Sequence, residues 1–250
     1  MDVLGVIPAR FHSTRLAGKP LADIWGKPMI QHVWERARQA RLLKDLIIAC
    51  DDDRIVDAAR KFNAKVVLTD RNHPSGTDRI CEVVNKMDVR IVINVQGDEP
   101  LIHPSMIDSV AKALLDDPKV TMATLRKKIT DPGEIDDPHV VKVVVDNDDF
   151  ALYFSRAAIP YHSSHSEVKS CDYYKHIGLY GYTKDFLFTF KNLPASDLEK
   201  TERLEQLRVL QGGFRIKAIE TPYDTVSVDT PQDLERVKRF LKEGKNEDNG

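Results

Sequence analysis

The first half of the chain alternates short apolar runs with amphipathic segments. The apolar runs predict strands, at 3–7, 46–50, 66–69, 90–96 and 120–125. Apolar residues at helical spacing predict helices between them. One is introduced by residues 26–28, with Pro28 in its first turn, and the others cover 51–62, 75–84 and 104–115. The run 90–96 is apolar on consecutive positions, which is typical of a central parallel strand. This alternation predicts an α/β fold with a doubly wound, mostly parallel sheet.

After residue 127 the pattern becomes irregular. Apolar runs and turn signals predict a strand pair and further strands, at 140–145, 150–155, 177–182, 215–220 and 226–228. Helices are predicted at 184–190, at 197–210 behind a Ser196–Glu199 capping box, and at 232–241. Segments 130–138 and 163–170 are polar or contain proline, and we expect loops there. We divide the chain into a core, 1–127 plus 212–242, and a smaller portion, 128–211, that does not fold independently.

Composition and charge exclude several classes of protein. The chain has 250 residues, 42% of them hydrophobic and 30% charged, which suits a globular domain with a sizeable core. A formal net charge of -2 argues against a surface that binds nucleic acid. No apolar run approaches the roughly 18 residues that span a bilayer, so we expect no membrane insertion and a cytoplasmic location. Cys50, Cys81 and Cys171 are widely spaced and suit neither a disulfide framework nor a metal site.

A basic loop follows the first predicted strand. Arg10, Arg15 and Lys19 lie there with Ser13 and Gly18 between them. Arginine forks and a lysine point charge, combined with hydroxyl groups and a flexible backbone, are typical of a polyphosphate site. The alternative is a solvated basic loop without a ligand.

Carboxylates follow two other predicted strands. Asp98 comes after the run 90–96, and Asp229 comes after the run 226–228. Together with the basic loop they suggest a site for Mg²⁺ and a triphosphate, because Mg²⁺ takes carboxylate and phosphate oxygens. Each has a structural alternative, since Asp98 could satisfy turn amides and Asp229 could assist the helix cap at Thr230. Ser75 and Gly76 begin a helix, whose free amides could also face a base or a phosphate.

Isolated polar residues in the second half are candidates for a hydroxylated ligand. Glu205 and Gln206 lie on or beside an apolar stripe of the helix predicted at 197–210, although a solvent-exposed helix edge is an equal alternative. Arg156 follows the strand predicted at 150–155 and could pair with a carboxylate. His176 precedes the strand predicted at 177–182 and could orient a hydroxyl, although a structural histidine is the commoner case.

An ordered set of motifs covers nearly the whole chain. The motifs are IPARFHSTRLAGKPL, HPSGTDR, INVQGDEP, VKVV followed by ALYFSRAAIPY, KHIGLYGY, LEQLRVL and VDTPQDLE. Their order resembles the 3-deoxy-manno-octulosonate (Kdo) cytidylyltransferases of lipopolysaccharide biosynthesis. The related sialic acid synthetases usually have a glycine-rich, Lys-Arg version of the first loop, where this chain reads Ser-Thr-Arg-Leu. Ala17 departs from the Kdo family, which commonly has proline there.

The resemblance implies a Rossmann-like nucleotidyltransferase that transfers CMP from CTP to Kdo and releases pyrophosphate. It implies nucleotide binding by Arg10, Ser13, Arg15, Lys19, Ser75 and Gly76, and a catalytic role for Arg10 and Lys19 among them. It implies Mg²⁺ at Asp98 and Asp229, two residues that also count as catalytic. It implies a sugar side, formed by Gln96, Arg156, His176, Tyr180, Glu205 and Gln206. It further implies that the core, 1–127 plus 212–242, binds the nucleotide. The portion 128–211 would bind the sugar and form the subunit contact of a homodimer.

Two alternatives stay open at this point. One is a cytidylyltransferase for another ulosonate, such as 8-amino-Kdo or a sialic acid, with the same catalytic half. The other is a non-catalytic module that binds CTP. A dinucleotide dehydrogenase is disfavoured because the first predicted strand is not followed by G-x-G-x-x-G.

Overall fold

The computed structural model describes residues 1–12, 16–163 and 171–242. Most of its strands belong to one sheet. The strands are β1 (Val3–Ala9), β2 (Asp23–Ile24), β3 (Lys27–Pro28), β4 (Asp45–Cys50), β5 (Lys65–Leu68), β6 (Ile91–Asn94), β7 (Met122–Lys128), β8 (Lys142–Val145), β9 (Ala151–Ser155), β10 (Tyr174–Thr183) and β11 (Lys217–Glu220). Of the described residues, nine strands form the main sheet, and β2 and β3 pair separately.

The main sheet has the order β11-β7-β10-β6-β1-β4-β5, and the hairpin β8–β9 extends it through β10. Strands β6, β1, β4 and β5 are parallel, as are β7 and β11. The mostly parallel α/β sheet is therefore confirmed. One feature was not predicted: β10 lies between β6 and β7 and runs antiparallel to both.

Helices cover both faces of the sheet. They are α1 (Met29–Ala37), α2 (Asp53–Lys61), α3 (Gly76–Val84), α4 (Pro104–Asp116), α5 (Gly133–Asp136), α6 (Lys184–Asn192), α7 (Asp197–Glu202), α8 (Leu207–Gln211) and α9 (Pro231–Lys242). Buried residues of α1, α2 and α4 share one core cluster with one face of the sheet, and those of α3, α6 and α8 share another cluster. This two-sided burial explains why the central strands are apolar on consecutive positions.

Three predictions about the second half are corrected. The helix predicted at 197–210 is two helices, because Arg203 adopts a left-handed conformation with φ 56° between α7 and α8. The break turns Leu204, Gln206 and Leu207 into the interior together, which one straight stripe would not do. Residues 226–228 form no strand among the described residues. The segment predicted as a loop at 130–138 contains the short helix α5.

The hairpin and the capping box are confirmed. Asp146 Oδ1 accepts hydrogen bonds from the backbone N–H groups of Asp148 and Phe150, which closes the turn between β8 and β9. Ser196 and Glu199 form the predicted capping box at the start of α7. Most of the loop predicted at 163–170 lies outside the described residues. Among the residues described, no helix has the length and apolar character needed to cross a membrane.

The final helix α9 packs beside the start of the chain. Val237 of α9 shares a buried cluster with Val228, Ile24 and Met29. Residues 226–228 therefore lie against the segment that precedes α1, although they join no sheet. This packing brings Asp229, the next residue, towards the loop after β1.

Candidate functional site

A cleft of about 410 Å³ opens at the carboxyl ends of β1 and β6. This is where ligands bind in open α/β sheets. Seven of the residues predicted from the sequence line it: Arg10, Lys19, Ser75, Gly76, Gln96, Asp98 and Asp229. Two others, Ser13 and Arg15, lie outside the described residues.

Lys19 lies between the two predicted metal-binding carboxylates. It begins a short 3-10 helix after Gly18, whose left-handed φ of 63° suits glycine. The Nζ atom of Lys19 donates to Asp98 Oδ2 at 2.5 Å and to Asp229 Oδ1 at 2.9 Å. Burial by itself lowers the pKa of Lys19, but the charges and hydrogen bonds of Asp98 and Asp229 outweigh it and raise the pKa above its ordinary value. Lys19 is therefore a firmly protonated ammonium group that holds the two carboxylates together.

Asp229 reaches the cleft because its neighbours satisfy the helix start. The side chain of Asp233 accepts from the backbone N–H groups of Asp229 and Thr230, and Thr230 Oγ1 accepts from the N–H of Asp233. The cap of α9 is thus built by Thr230 and Asp233. The Asp229 carboxylate is directed to Lys19 instead, so the capping alternative for Asp229 does not account for its side chain.

The loop that carries Asp98 is tied to the segment that carries Asp229. The backbone N–H of Val228 donates to the carbonyl of Asp98 at 2.9 Å. The hydroxyl of Thr225 hydrogen-bonds to the Glu99 carboxyl group, which is buried beside Asp98. These links fix two loops that are far apart in sequence at one end of the cleft.

The carboxylates of Asp98 and Asp229 could supply part of the coordination shell of Mg²⁺. No group of three or more His, Cys, Asp or Glu side chains in the described part of the chain could hold a metal alone. Asp98 and Asp229 do converge on one cation, the Lys19 ammonium. Mg²⁺ is commonly held by one or two carboxylates with phosphate oxygens and waters completing its shell. The two aspartates are therefore suited to a metal that arrives with a phosphate ligand.

Gly97 is required by packing at this point. A Cβ atom there would lie 2.8 Å from the backbone oxygen of Pro8. The lack of a side chain therefore lets the ends of β1 and β6 approach each other. The close approach keeps Asp98 near the loop that carries Lys19.

Ser75 caps α3 at the side of the cleft, as predicted. Its Oγ accepts from the Asp78 backbone N–H at 3.1 Å and hydrogen-bonds to Asp78 Oδ2 at 2.6 Å. Gly76 follows and packs close to Pro8, because a Cβ atom there would lie 3.4 Å from Pro8 Cγ. The first turn of α3 therefore packs against the end of β1 at the side of the cleft.

The candidate sugar residues occupy several places. Gln96 lines the cleft. Arg156 donates from Nε to the carbonyl of Glu202 at 2.9 Å and from Nη1 to the carbonyl of Pro138 at 2.8 Å. The side chain of Arg156 thus links the end of β9 to α7 and to the loop between α5 and β8. It does not line the cleft. Its role in sugar binding stays a prediction.

His176 lies within β10, two residues after the strand begins. Its Nε2 is 3.0 Å from Thr124 Oγ1, and its ring centroid lies 5.0 Å from that of Phe154 and 5.4 Å from that of Tyr180. Burial lowers the pKa of His176 to about 3. The imidazole is therefore neutral, and Thr124 fixes its orientation from the neighbouring strand.

Tyr180 and Glu205 interact on the α3 side of the sheet. Burial, and secondly the charge of Glu205, raises the pKa of Tyr180 far above its usual range, so its hydroxyl keeps its proton. Burial also raises the pKa of Glu205, while Arg208 and a hydrogen bond from Thr77 act in the opposite direction. Thr77 belongs to the first turn of α3, so Glu205 connects the α7–α8 junction to the helix that borders the cleft.

Gln206 and Asn94 are buried amides on this side. Gln206 is 5% exposed at the start of α8. Asn94 is 5% exposed and lies opposite Tyr180 in the β6–β10 register. Its Oδ1 has no hydrogen-bond partner in the described part of the protein. Sequence reasoning missed Asn94, although a polar residue inside the apolar run 91–95 was a signal.

Arg79 was also missed. It lines the cleft, is 3% exposed and pairs with Asp51. The helical spacing that predicted α3 does not distinguish a buried arginine from a solvated one. The motif HPSGTDR, which ends in Arg79, was the available signal.

Comparison with known proteins gives consistent results. A cytidylyltransferase family model matches residues 4–219. The 3-deoxy-manno-octulosonate cytidylyltransferase of Solibacter usitatus is 52% identical over 96% of this chain and 94% of its own length. The enzyme of the same name from Geobacter sulfurreducens is 47% identical over 97% of this chain and 100% of its own.

A solved structure agrees with these relatives. It is described as CMP:2-keto-3-deoxy-manno-octonic acid synthetase complexed with CTP, and is 43% identical with a TM-score of 0.92, covering 98% of this chain and 100% of that one. The match thus extends over nearly the whole of both chains. The chain therefore belongs to the cytidylyltransferase family, among the 3-deoxy-manno-octulosonate cytidylyltransferases.

Proposed function

We propose that this protein transfers CMP from CTP to Kdo, giving CMP-Kdo and pyrophosphate. The observation that carries the proposal is the pairing of Lys19 with Asp98 and Asp229 in a cleft that Arg10 also lines. Two cationic side chains and two carboxylates at one strand edge suit a triphosphate with a divalent cation. The identity to Kdo cytidylyltransferases over nearly the whole chain supports the same substrate pair.

The reaction joins two anionic substrates. A hydroxyl oxygen of Kdo forms a bond to the α-phosphorus of CTP, the bond from that phosphorus to the bridging oxygen breaks, and the hydroxyl proton passes to water. Arg10 and Lys19 reduce the repulsion between the substrates and stabilise the charge that passes to pyrophosphate. Ser75 and Gly76, at the first turn of α3, border the place for the cytosine. Positioning both substrates in line supplies much of the remaining rate enhancement.

Asp98 and Asp229 are the residues that would hold Mg²⁺. When bound there, the ion supplies positive charge that stabilises phosphate oxygens and lowers the pKa of a coordinated hydroxyl. Lys19 contacts the same two carboxylates, so its ammonium group is placed to move to a phosphate oxygen of CTP. In this proposal Asp98 and Asp229 hold the positive charges of Mg²⁺ and Lys19 close to the α-phosphorus. Neither carboxylate serves as a general base.

The sugar is assigned to the region around β10. Gln96, His176, Tyr180, Glu205 and Gln206 offer hydrogen bonds of several kinds to a polyhydroxylated acid. The neutral imidazole of His176 and the protonated hydroxyl of Tyr180 are suited to hydroxyl groups. Arg156 is retained as a candidate partner for the Kdo carboxylate. The homodimer formed through 128–211 stays a prediction from the family resemblance. The cytoplasmic location stays a prediction from the lack of a long apolar run.

Substrate choice is tested by measuring CMP transfer to Kdo, 8-amino-Kdo and a sialic acid under identical conditions. We expect kcat/KM to be highest for Kdo. A higher value for either of the other acids would replace the proposed acceptor while keeping the reaction type. Failure of all three to accept CMP, with CTP still bound, would favour a non-catalytic CTP-binding module.

A further inference from the structure

The side chain of Asp51 joins the two sides of the cleft. Asp51 follows β4 directly and is 7% exposed. Its Oδ1 accepts from the backbone N–H of Phe11 at 2.8 Å, and its Oδ2 accepts from Arg79 Nη2 at 3.3 Å. One carboxylate thus bonds to the loop after β1 and to helix α3.

Phe11 links Asp51 to the predicted phosphate-binding residues Arg10 and Lys19. It follows Arg10 directly, and a Cβ atom on Gly18 would lie 3.2 Å from its ring. The guanidinium carbon of Arg54 lies 3.4 Å from the centroid of the Phe11 ring. Phe11 therefore contacts both ends of the segment that begins at Arg10 and ends at Lys19.

Arg79 links Asp51 to helix α3, on the cytosine side of the cleft. It lies one helical turn after Ser75 and Gly76, in the same helix. Its Nη1 also donates to the hydroxyl of Thr69 and, at 3.3 Å, to the carbonyl of Asp70. These bonds hold the guanidinium rigidly, so that the Asp51–Arg79 pair fixes α3 relative to β4.

We propose that Asp51 is a positioning residue that sets the spacing between the triphosphate side of the cleft, at Arg10 and Lys19, and the cytosine side, at Ser75 and Gly76. The inference rests on the proposed binding of CTP across these two sides. A ligand that engages both sides gains from their correct separation, because the second contact forms at a high effective concentration. A ligand that engages one side alone gains nothing from that separation.

Asp51→Asn is the sharpest variant. The amide oxygen of asparagine retains an acceptor for the Phe11 N–H, but the charge that pairs with Arg79 is lost. Removing one partner of a buried ion pair leaves the other charge uncompensated, so Arg79 and α3 shift away from the β1 loop. Asp108→Asn is the matched control, because Asp108 accepts from the N–H groups of Arg41 and Leu42 in a loop outside the cleft lining.

The experiment is calorimetric titration of the wild type and both variants with CTP, tripolyphosphate and cytidine, each with the same Mg²⁺ concentration. We expect Asp51→Asn to weaken CTP binding about tenfold and to change tripolyphosphate and cytidine binding less than twofold. Asp108→Asn should leave all three unchanged. Unchanged CTP binding in folded Asp51→Asn, or an equal loss for CTP and tripolyphosphate, would overturn the spacing role.

Circular dichroism and thermal melting show whether Asp51→Asn folds. If it does not, Thr69→Val decides the question, because it removes one bond to Arg79 and leaves Asp51 intact. We expect Thr69→Val to weaken CTP binding two- to threefold with tripolyphosphate binding unchanged, and no selective loss would contradict the proposal. Failure of the wild type to bind CTP would instead refute the proposed function.

Discussion

The ammonium nitrogen of Lys19 lies 2.5 Å from Oδ2 of Asp98. The two residues come from the loop after β1 and the loop after β6, and Asp229 completes the contact from the segment before α9. Three parts of the chain thus meet through one partly buried cation. A lysine between two carboxylates keeps them together, and the same carboxylates are the proposed ligands of Mg²⁺.

Replacing Lys19 with methionine should impair catalysis more than folding. We expect kcat to fall about 10²- to 10³-fold, because one charge that stabilises the transferred phosphoryl group is lost. The unfolding free energy should fall by about 1–3 kcal/mol, since Asp98 and Asp229 then repel each other while remaining partly solvated. Steady-state kinetics and urea unfolding measure the two effects.

Lys27→Met is the control for Lys19→Met. Lys27 forms an exposed ion pair with Glu35, so its removal should change kcat less than twofold. Equal losses of activity in the two variants would contradict a specific role for Lys19.

Metal binding should respond to Lys19 and Asp229 in opposite directions. Without CTP, Lys19→Met should bind Mn²⁺ more tightly than the wild type, because the ammonium no longer competes for the two carboxylates. Asp229→Asn should bind Mn²⁺ at least tenfold more weakly, and Asp116→Asn on the exposed end of α4 should not change it. Electron paramagnetic resonance of free Mn²⁺ provides the measurement. Wild-type affinity in Asp229→Asn would exclude Asp229 as a ligand.

Gly97→Ala tests the close approach of β1 and β6. The added methyl group would meet the Pro8 carbonyl at 2.8 Å, so the loop carrying Asp98 has to move away from Lys19. We expect kcat/KM for CTP to fall at least tenfold. Gly178→Ala is the control, because a Cβ atom there would have no described heavy atom outside its chain neighbours within 4 Å. Normal kinetics in Gly97→Ala would show that the loop tolerates the displacement.

His176 should make stability depend on pH. Its pKa is about 3 in the folded protein and 6.5 ordinarily, so below pH 6.5 the unfolded chain binds a proton that the folded protein excludes. This contribution is favourable above pH 6.5 and is lost as pH falls, at up to about 1.4 kcal/mol per pH unit. Between pH 7.5 and 5.5, His176→Gln should therefore lose about 1.4 kcal/mol less unfolding free energy than the wild type.

Tyr180→Phe serves as the comparison for His176→Gln. It alters the same buried region without removing a group that titrates between pH 5.5 and 7.5. Its loss of unfolding free energy over that range should match the wild type. An equal pH slope for the wild type and His176→Gln would contradict a buried neutral imidazole.

The first half of the fold was predictable because its signals are local. Strands β1, β4, β5 and β6 are apolar runs, and the helices between them have clear amphipathic spacing. The position of β10 was not predictable in the same way. Its own residues specify a strand, but the choice of antiparallel partners β6 and β7 depends on packing across distant parts of the chain.

The residues of the candidate site were predictable where polar side chains directly follow a predicted strand. Asp98 and Lys19 could be placed because each follows a recognisable strand. Asp229 was correctly associated with them for a partly wrong reason, since residues 226–228 form no strand and are held by the Val228–Asp98 backbone bond. The buried pair of Asp51 and Arg79 could not be found from spacing, because nothing local distinguishes it from two exposed charges.

The most direct test of the account is pyrophosphate release from CTP by the wild-type protein with Mg²⁺, measured with and without Kdo. We predict rapid release that requires Kdo and matches the formation of CMP-Kdo one for one. Release at the same rate without Kdo, or no release with both substrates present, would contradict the proposal that the cleft joins CTP to this sugar.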